Sequence, residues 1–280
     1  MNIKTKRRVK IVLYQIFALL FIAFMLLPIY QMLITALRPA ELPWESPGQI
    51  FPDHFSLNNF VKAFEIVPRL PRYLLNSFIY GFGVAIISIA IAIPSGYALA
   101  RFKFIGRKPL MVFVIYANMF APIMLLVPIF TIMRSFGLID TYLSVILAGA
   151  IFTIPLSTWL TVSYIQTVPK EIEEAGFVDG CTQITVIFKV VIPLISPAIA
   201  STFIYAFITG WSQQFLIAMV LIKDDKLMPL AQGLYQFFSR SSVRWNELMA
   251  ALLMSTIIPV VLFLIFQKYI IKGLTSGSIK

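Results

Sequence analysis

The stretch EIEEAGFVDGCTQITVIFKVVIP, Glu171–Pro193, decides how this sequence is read. It carries Glu171, Glu173, Glu174 and Asp179, yet it lies between hydrophobic segments long enough to cross a bilayer. Locally it reads as two short helices with a hinge. Pro169 suits the opening turn of a helix, where a missing N–H costs little, and the three glutamates favour the positive end of its dipole. Gly180 follows the first helical run, where a left-handed turn would call for a glycine. Thr182 can cap a second run, with Ile184, Ile187 and Val191 at helical spacing, and Pro193 is expected to end it. Ala175-Gly176 removes bulk from the first helix, so another backbone or a large side chain could come close. From this chemistry alone two readings stand: an ordinary cytoplasmic loop folded on the membrane surface, or a face shaped for another protein.

Outward from this stretch, the composition favours a membrane protein over one or two soluble domains. Of the 280 residues 59% are hydrophobic and only 12% charged. Six apolar stretches reach the roughly 20 residues that a spanning helix needs. The reading is an all-α integral membrane protein with six transmembrane helices, expected at about 11–36, 74–100, 109–133, 141–164, 194–222 and 245–266. A net charge of +11 would suggest nucleic acid in a soluble protein. Here the basic residues cluster beside spans, so the charge is read through topology and no nucleic-acid partner is expected. One cysteine, Cys181, excludes an internal disulfide or a cysteine-cluster metal site, and the single histidine, His54, argues against histidine-based catalysis or metal binding.

The N-terminus, 1–10, carries Lys4, Lys6, Arg7, Arg8 and Lys10 before an apolar run. That run is too long for the apolar core of a signal peptide and lacks a convincing cleavage site, so an uncleaved first span is expected. Residues 38–73 read as an extracytoplasmic loop with a short helix near 57–64 that Asn58-Asn59 can cap. Span three contains Pro122 and Pro128 and is expected to be one kinked helix. Placing the N-terminus, 101–108, 165–193 and a 267–280 tail inside puts 14 of the 23 Lys and Arg there. The bias favours cytoplasmic N- and C-termini around a single transmembrane domain over 11–280.

Glu174-Ala175-Gly176, then Gly180, then nine residues, then Val190-x-Ile192-Pro193, resembles the EAA loop of ABC-importer permeases, with Gly176 in place of the second alanine. Asn76-Ser77-Phe78, Tyr97-Ala98-Leu99-Ala100-Arg101-Phe102, Gly137-Leu138-Ile139-Asp140-Thr141-Tyr142 and the C-terminal Lys272–Lys280 look like the carbohydrate, maltose-type branch. Over roughly 74–280 the likeness is to the second permease of such importers. It implies a type I importer architecture in a bacterial or archaeal cell membrane. The implied partners are a second, homologous permease forming a heterodimer, a cytoplasmic ATPase dimer holding ATP and Mg, an extracytoplasmic solute-binding protein and a sugar. This chain is expected to bind no cofactor and no metal itself. The resemblance assigns ATPase coupling to Glu171, Glu174, Ala175, Gly176, Asp179, Gly180 and Pro193. It assigns a tail that reaches the ATPase to Gly273, Leu274, Thr275, Ser276 and Gly277, and contact with the binding protein to about 223–244.

Candidate path residues are Tyr116 and Asn118 in span three and Trp211-Ser212-Gln213-Gln214 in span five. Polar groups at such depth are costly unless they face a partner or water. Aromatic faces with amides and hydroxyls suit a sugar. Interhelical hydrogen bonding is an equally common use of Gln and Ser in membranes, and both readings stay open. Trp245-Asn246-Glu247 reads as an interfacial anchor. No catalytic residue is expected: Glu174 on a solvated loop has neither pocket nor partner group for acid–base work. The sequence lacks Gly-x4-Gly-Lys-Ser/Thr, so the energy of ATP would have to enter through another subunit. A stand-alone secondary carrier would need acids deep in the spans, and none is found there. The nearer alternative is an importer of the same type for glycerol phosphate or a polyol.

Overall fold

The computed structural model describes residues 3–39, 54–238 and 243–276, with side chains over 10–39, 54–238 and 243–268. Ten helices carry the described chain: α1 Ile3–Leu37, α2 Asn58–Ile66, α3 Leu70–Arg101, α4 Arg107–Ala117, α5 Pro122–Ser135, α6 Tyr142–Thr167, α7 Lys170–Val178, α8 Gln183–Leu194, α9 Ser196–Leu221 and α10 Trp245–Ser276. Short helical turns at Asp225–Leu227 and Leu230–Phe237 join α9 to α10. Among the described residues the only β pairing is one bridge, Phe238 to Val243. Five helices are long and apolar enough to cross a membrane, and six spans result if α4 and α5 count as one. The all-helical class follows from the physics of the bilayer, where each backbone amide must be satisfied within its own segment.

The chain forms two compact units, Met1–Pro68 with Gln236–Met254, and Arg69–Tyr235 with Ser255–Lys280. In the first, α1 runs unbroken for 35 residues and exposes its apolar side chains on every side from Ile11 to Ile29. A helix apolar all round is suited to lipid or to another apolar surface, not to water. The expected Asn58-Asn59 cap is not made. Asn59 is instead fully buried, and its amide donates to the carbonyls of Ala36 and Arg38 at the end of α1. The residue that serves the start of α2 is Ser56, whose hydroxyl accepts from the Asn58 N–H. Two chain-end carbonyls buried without water offer a stronger claim on the amide than a helix terminus that solvent can reach.

The second unit is organised on α3, α6 and α9. Their contact faces are built from small residues. Val84 of α3 wedges between Gly149 of α6 and Gly210 of α9: a β-carbon on either glycine would lie 2.7 or 2.9 Å from its side chain. Nearer the other end of α3, a β-carbon on Gly96 would stand 2.7 Å from the Thr161 methyl. Close backbone approach of this kind drives helix association where apolar burial alone gives no preference over lipid. Hydroxyls then bridge the seam, Ser88 to Thr153 and Ser95 to Thr158.

The expected single kinked span at 109–133 is instead two helices, α4 and α5, bent by 105°. Pro122 opens α5, cannot donate an N–H, and holds Ala121 extended at φ −63°, ψ 129°. The residue before a proline avoids helical geometry, and this drives the chain out of the helix at that point rather than merely bending it. Pro128, further along, is absorbed within α5.

Filling the Val84 notch should test this packing. Gly210→Ala is expected to cost about 1–3 kcal/mol, the usual range for overpacking a tight core. The double variant V84A/G210A should recover part of that loss, as read by denaturant or thermal unfolding in detergent. Equal stability of wild type and Gly210→Ala would contradict the packing.

Candidate functional site

At one end of the α3–α6–α9 core, α7 and α8 form a hairpin. Gly180 turns the chain at φ +81°, in the left-handed region expected for it. Its N–H donates to Phe177 O, and the Cys181 N–H closes on Gly176 O. Thr182 caps α8 as its sequence position suggested, with its hydroxyl accepting from Thr185 N–H at 3.3 Å. The two arms meet closely at Gly176, where an added β-carbon would lie 3.3 Å from Val186. This is the small-residue face of the Ala175-Gly176 pair, and what approaches it is the hairpin's own second arm. Val186 and Val191 bury the inner side of α8 against Tyr97, Val162, Ile165 and Ala198 from the three core helices.

Pro193 does not end α8. Helix continues to Leu194 through a wider π-type turn at Ile187–Val191, and the chain re-enters helix at Ser196. A proline inside a helix leaves a carbonyl without its usual donor, and a widened turn is one way for the backbone to accommodate this without breaking.

The acid that fixes the hairpin is Glu173. Its carboxylate accepts from Arg101 Nε at 2.7 Å and from the Tyr97 hydroxyl at 2.8 Å. The Arg101 and Glu173 side chains are only 9% and 5% exposed. Arg101 also donates to Val168 O at 2.7 Å, where α6 passes into α7. One guanidinium thus joins the last turn of α3, the exit from α6 and the first turn of α7. Sequence reasoning passed over Glu173 and assigned no role to Tyr97 or Arg101. The available signal was the Tyr97–Phe102 motif, which places a tyrosine hydroxyl and a cation one helical turn apart at the end of a span.

The expected coupling residues lie on the opposite side. Glu171, Glu174, Ala175, Asp179 and Gly180 are exposed and Gly176 half-buried, while Pro193 lies exposed at the far end of α8. Between them stand apolar side chains without cover: Ile172, Phe177, Ile184, Phe188 and Val178, the last 88% exposed. A cavity of about 170 Å³ opens between this surface and the end of α3, lined by Arg101, Phe102, Lys170, Glu174 and Gln183 among others. Gly273, Leu274, Thr275 and Ser276 form the last residues of α10, so helix runs ten residues past the expected end of span six at Phe266. Gly277 lies outside the described residues.

The candidate path residues do not converge on one surface. Consecutive positions on α9 point about 100° apart, and their environments differ accordingly. Gln214 is buried, and its amide donates to Ser77 O on α3 at 2.9 Å, an interhelical bond that takes it away from any open path. Trp211 packs tilted against Phe207 with ring centroids 5.8 Å apart, and Ser212 is exposed, its hydroxyl donating to Thr209 O. Gln213 keeps a buried amide oxygen with no hydrogen-bond partner among the described residues. Tyr116 and Asn118 are exposed at the end of α4, where the span breaks.

At the opposite end of the core a polar network stitches the segment after α9 to α3. The Asn76 amide donates to Lys226 O and Met228 O at 2.9 and 2.8 Å, and its oxygen accepts from the Tyr142 hydroxyl at 2.7 Å. Ser77 accepts from Leu230 N–H at 2.9 Å, Tyr80 donates to Leu227 O at 2.7 Å, and Asp225 receives Arg69 and Tyr73. Asp140, left-handed at φ +59°, accepts from the N–H groups of Lys223 and Asp224 beyond α9. The Asn76-Ser77 and Gly137–Tyr142 motifs therefore act together on residues 223–230, a role the sequence did not disclose.

The second unit is thus an all-helical core of tightly seamed spans with an acidic and apolar hairpin at one end. The match to the family described as binding-protein-dependent transport system inner membrane component covers residues 88–276, and the chain belongs to that family. It is 32% identical over 255 residues to the sulfoquinovosyl glycerol transport system permease protein SmoH of Agrobacterium fabrum, covering 91% of this chain and 89% of that one. The maltodextrin transport system permease protein MdxG of Bacillus subtilis is 30% identical over 285 residues, covering all of both chains. The trehalose/maltose transport system permease protein MalG of Thermococcus litoralis is 32% identical over 227 residues, 80% of this chain and 81% of that one. The fold matches a chain of a bacterial ABC transporter involved in import of the acidic polysaccharide alginate, with a TM-score of 0.76 at 21% identity over 96% of this chain and 99% of that one.

The buried ion pair yields a sharp test. Arg101→Met leaves Glu173 buried without its cation and should cost about 3–5 kcal/mol, whereas the double variant R101M/E173M should recover most of that. Cys181 is the only cysteine and sits half-buried within the hairpin, so its maleimide labelling rate reports loosening. Faster labelling is expected in Arg101→Met alone; equal rates in all three proteins would show that the pair does not hold the hairpin.

Proposed function

We propose that the chain is the membrane-spanning subunit of a binding-protein-dependent ABC importer. With a second, homologous permease it forms an ATP-driven path for a neutral sugar, a di- or oligosaccharide, across a bacterial or archaeal cell membrane. The observation that carries this reading is the α7–α8 hairpin, which presents Glu171, Glu174 and Asp179 around an uncovered apolar surface while its inner side is locked by Glu173 and Arg101. An apolar centre with a charged rim is the anatomy of a protein interface.

The occupant of that surface is an ATPase dimer, which holds the ATP and Mg. Closure of the dimer pushes on the hairpin, and because α7 and α8 continue directly into α6 and α9, the push reaches both spans. The hairpin's contacts must differ between the two states of the ATPase for this coupling to have any strength. In this reading the N- and C-termini are cytoplasmic and 273–277 lie towards the ATPase interface. Residues 223–244 face the solute-binding protein, and their first part is the segment fixed by Asn76, Ser77 and Asp140. The sugar assignment is supported by relatives named for maltodextrin and trehalose/maltose transport. A glycerol-bearing solute is the second reading, favoured by the 32% identity to the sulfoquinovosyl glycerol permease. The candidate path residues include no cation to meet an anionic solute, which keeps the neutral saccharide first.

Pull-down in mild detergent after co-expression with the partner genes is the direct test. Wild type should bring down an ATPase. Glu174→Arg, which reverses a rim charge, and Gly180→Trp, which places a bulky side chain at φ +81°, should each reduce recovery tenfold or more. A wild-type chain that purifies alone and moves solute in liposomes without ATP would replace the importer by a secondary carrier.

A further inference from the structure

The turn between α3 and α4, Phe102–Gly106, and the end of α6 enclose an open pocket of about 1020 Å³. Lys103, Arg107 and Lys108 line it together with Gln166, and no acidic residue does. None of the three cationic side chains has a hydrogen bond or ion pair among the described residues. Arg101, one residue before the turn, differs in this respect, since its charge is consumed by Glu173. Three uncompensated positive charges therefore face one cavity at the end of three helices.

The rim adds a second feature. Gly106 at φ +95° reverses the chain and pushes Ile105 out fully exposed, with Phe104 partly exposed beside it. Apolar side chains aimed outward beside a cationic pocket are poorly suited to water but well suited to the boundary between head groups and acyl chains. We infer that this pocket binds the phosphate head group of an anionic lipid, with Lys103, Arg107 and Lys108 on the phosphate and Phe104 and Ile105 against the lipid's apolar part. Gln166 supplies a neutral hydrogen-bonding group for the glycerol portion. Basic residues clustered at the end of a span attract anionic lipids additively, and a preformed pocket adds selectivity for the head group. The inference goes beyond the proposed transport function and needs from it only that α3 and α4 end at a membrane surface.

The two sources of phosphate chemistry, lipid and free anion, separate in native mass spectrometry of the full chain purified in a neutral detergent. Phosphatidylglycerol, phosphatidylcholine and inorganic phosphate are titrated in turn against wild type, K103Q/R107Q/K108Q and a control, Arg134→Gln, at the far end of α5. Wild type and the control should retain phosphatidylglycerol, and the triple variant should hold it about tenfold more weakly. Phosphatidylcholine should bind all three alike. If the triple variant fails to fold, judged by circular dichroism, the exposed Lys103→Gln alone carries the test, with a smaller loss expected. Equal phosphatidylglycerol retention in wild type and variant overturns the inference. Displacement of the lipid by an equal concentration of inorganic phosphate overturns it in favour of a soluble phosphoryl ligand. Loss of ATPase co-purification with lipid retention intact overturns it in favour of a protein-docking surface. Only the last of these results needs an ATPase docked on the hairpin.

Discussion

The buried pair of Arg101 and Glu173 is the interaction on which the working end of this molecule depends. Two charges removed from water are costly to place, and their mutual attraction repays that cost only when the remaining polar atoms are also satisfied. Here they are: Tyr97 takes the second carboxylate oxygen, and Val168 O takes a further guanidinium N–H. An apolar pair of similar volume could hold the hairpin with comparable strength. The charged pair additionally fixes direction. A guanidinium held by two placed acceptors tolerates little rotation, so the outer surface of α7 is presented at one angle to the core.

The same long helix anchors both ends. α3 ends in Tyr97 and Arg101, which hold the hairpin, and begins with Asn76, Ser77 and Tyr80, which hold the segment after α9. Between these ends it is seamed to α6 and α9 by glycine contacts and hydroxyl pairs. Such a seam is keyed along its length, by Val84 on Gly149 and Gly210, Ile146 on Gly83 and Thr161 on Gly96, which resists sliding of one helix past another. In the proposed mechanism a displacement at the hairpin would therefore carry α3, α6 and α9 together towards the polar network at the far end.

Local chemistry made part of this legible in the sequence. Gly180 at a left-handed turn and Thr182 as a cap are decided by residues within three positions, and the structure places both as their neighbours imply. Apolar length alone gave the long spans. What sequence could not resolve was the direction of a side chain among adjacent equivalents. Glu173 and Glu174 are chemically alike and lie about 100° apart on a helix, so only the position of Arg101, 72 residues earlier, decides which is buried. Gln213 and Gln214 pose the same problem, settled by Ser77 O. Proline misled twice, and in opposite directions. Pro122 breaks a span expected only to bend, while Pro193 is carried through a helix expected to stop.

These two prolines differ in what can answer the missing donor. At Pro193 the chain is held on both sides, by Val186 and Val191 in the core and by Ile195 and Ala198 beyond, so a widened turn is cheaper than separation from that packing. At Pro122 the neighbouring residues Met119, Phe120, Ile123 and Met124 are all exposed, so packing among the described residues does not hold the backbone to one axis there. The bent pair leaves much apolar surface uncovered around an irregular stretch of backbone at 118–121, where the Asn118 amide donates to Val114 O at 3.4 Å. Irregular backbone is tolerated there where it lies against protein or beside a water-filled cavity. Both conditions would be met at a seam with a second permease flanking a path. In the proposed heterodimer the α4–α5 break would then lie against the partner or beside the path.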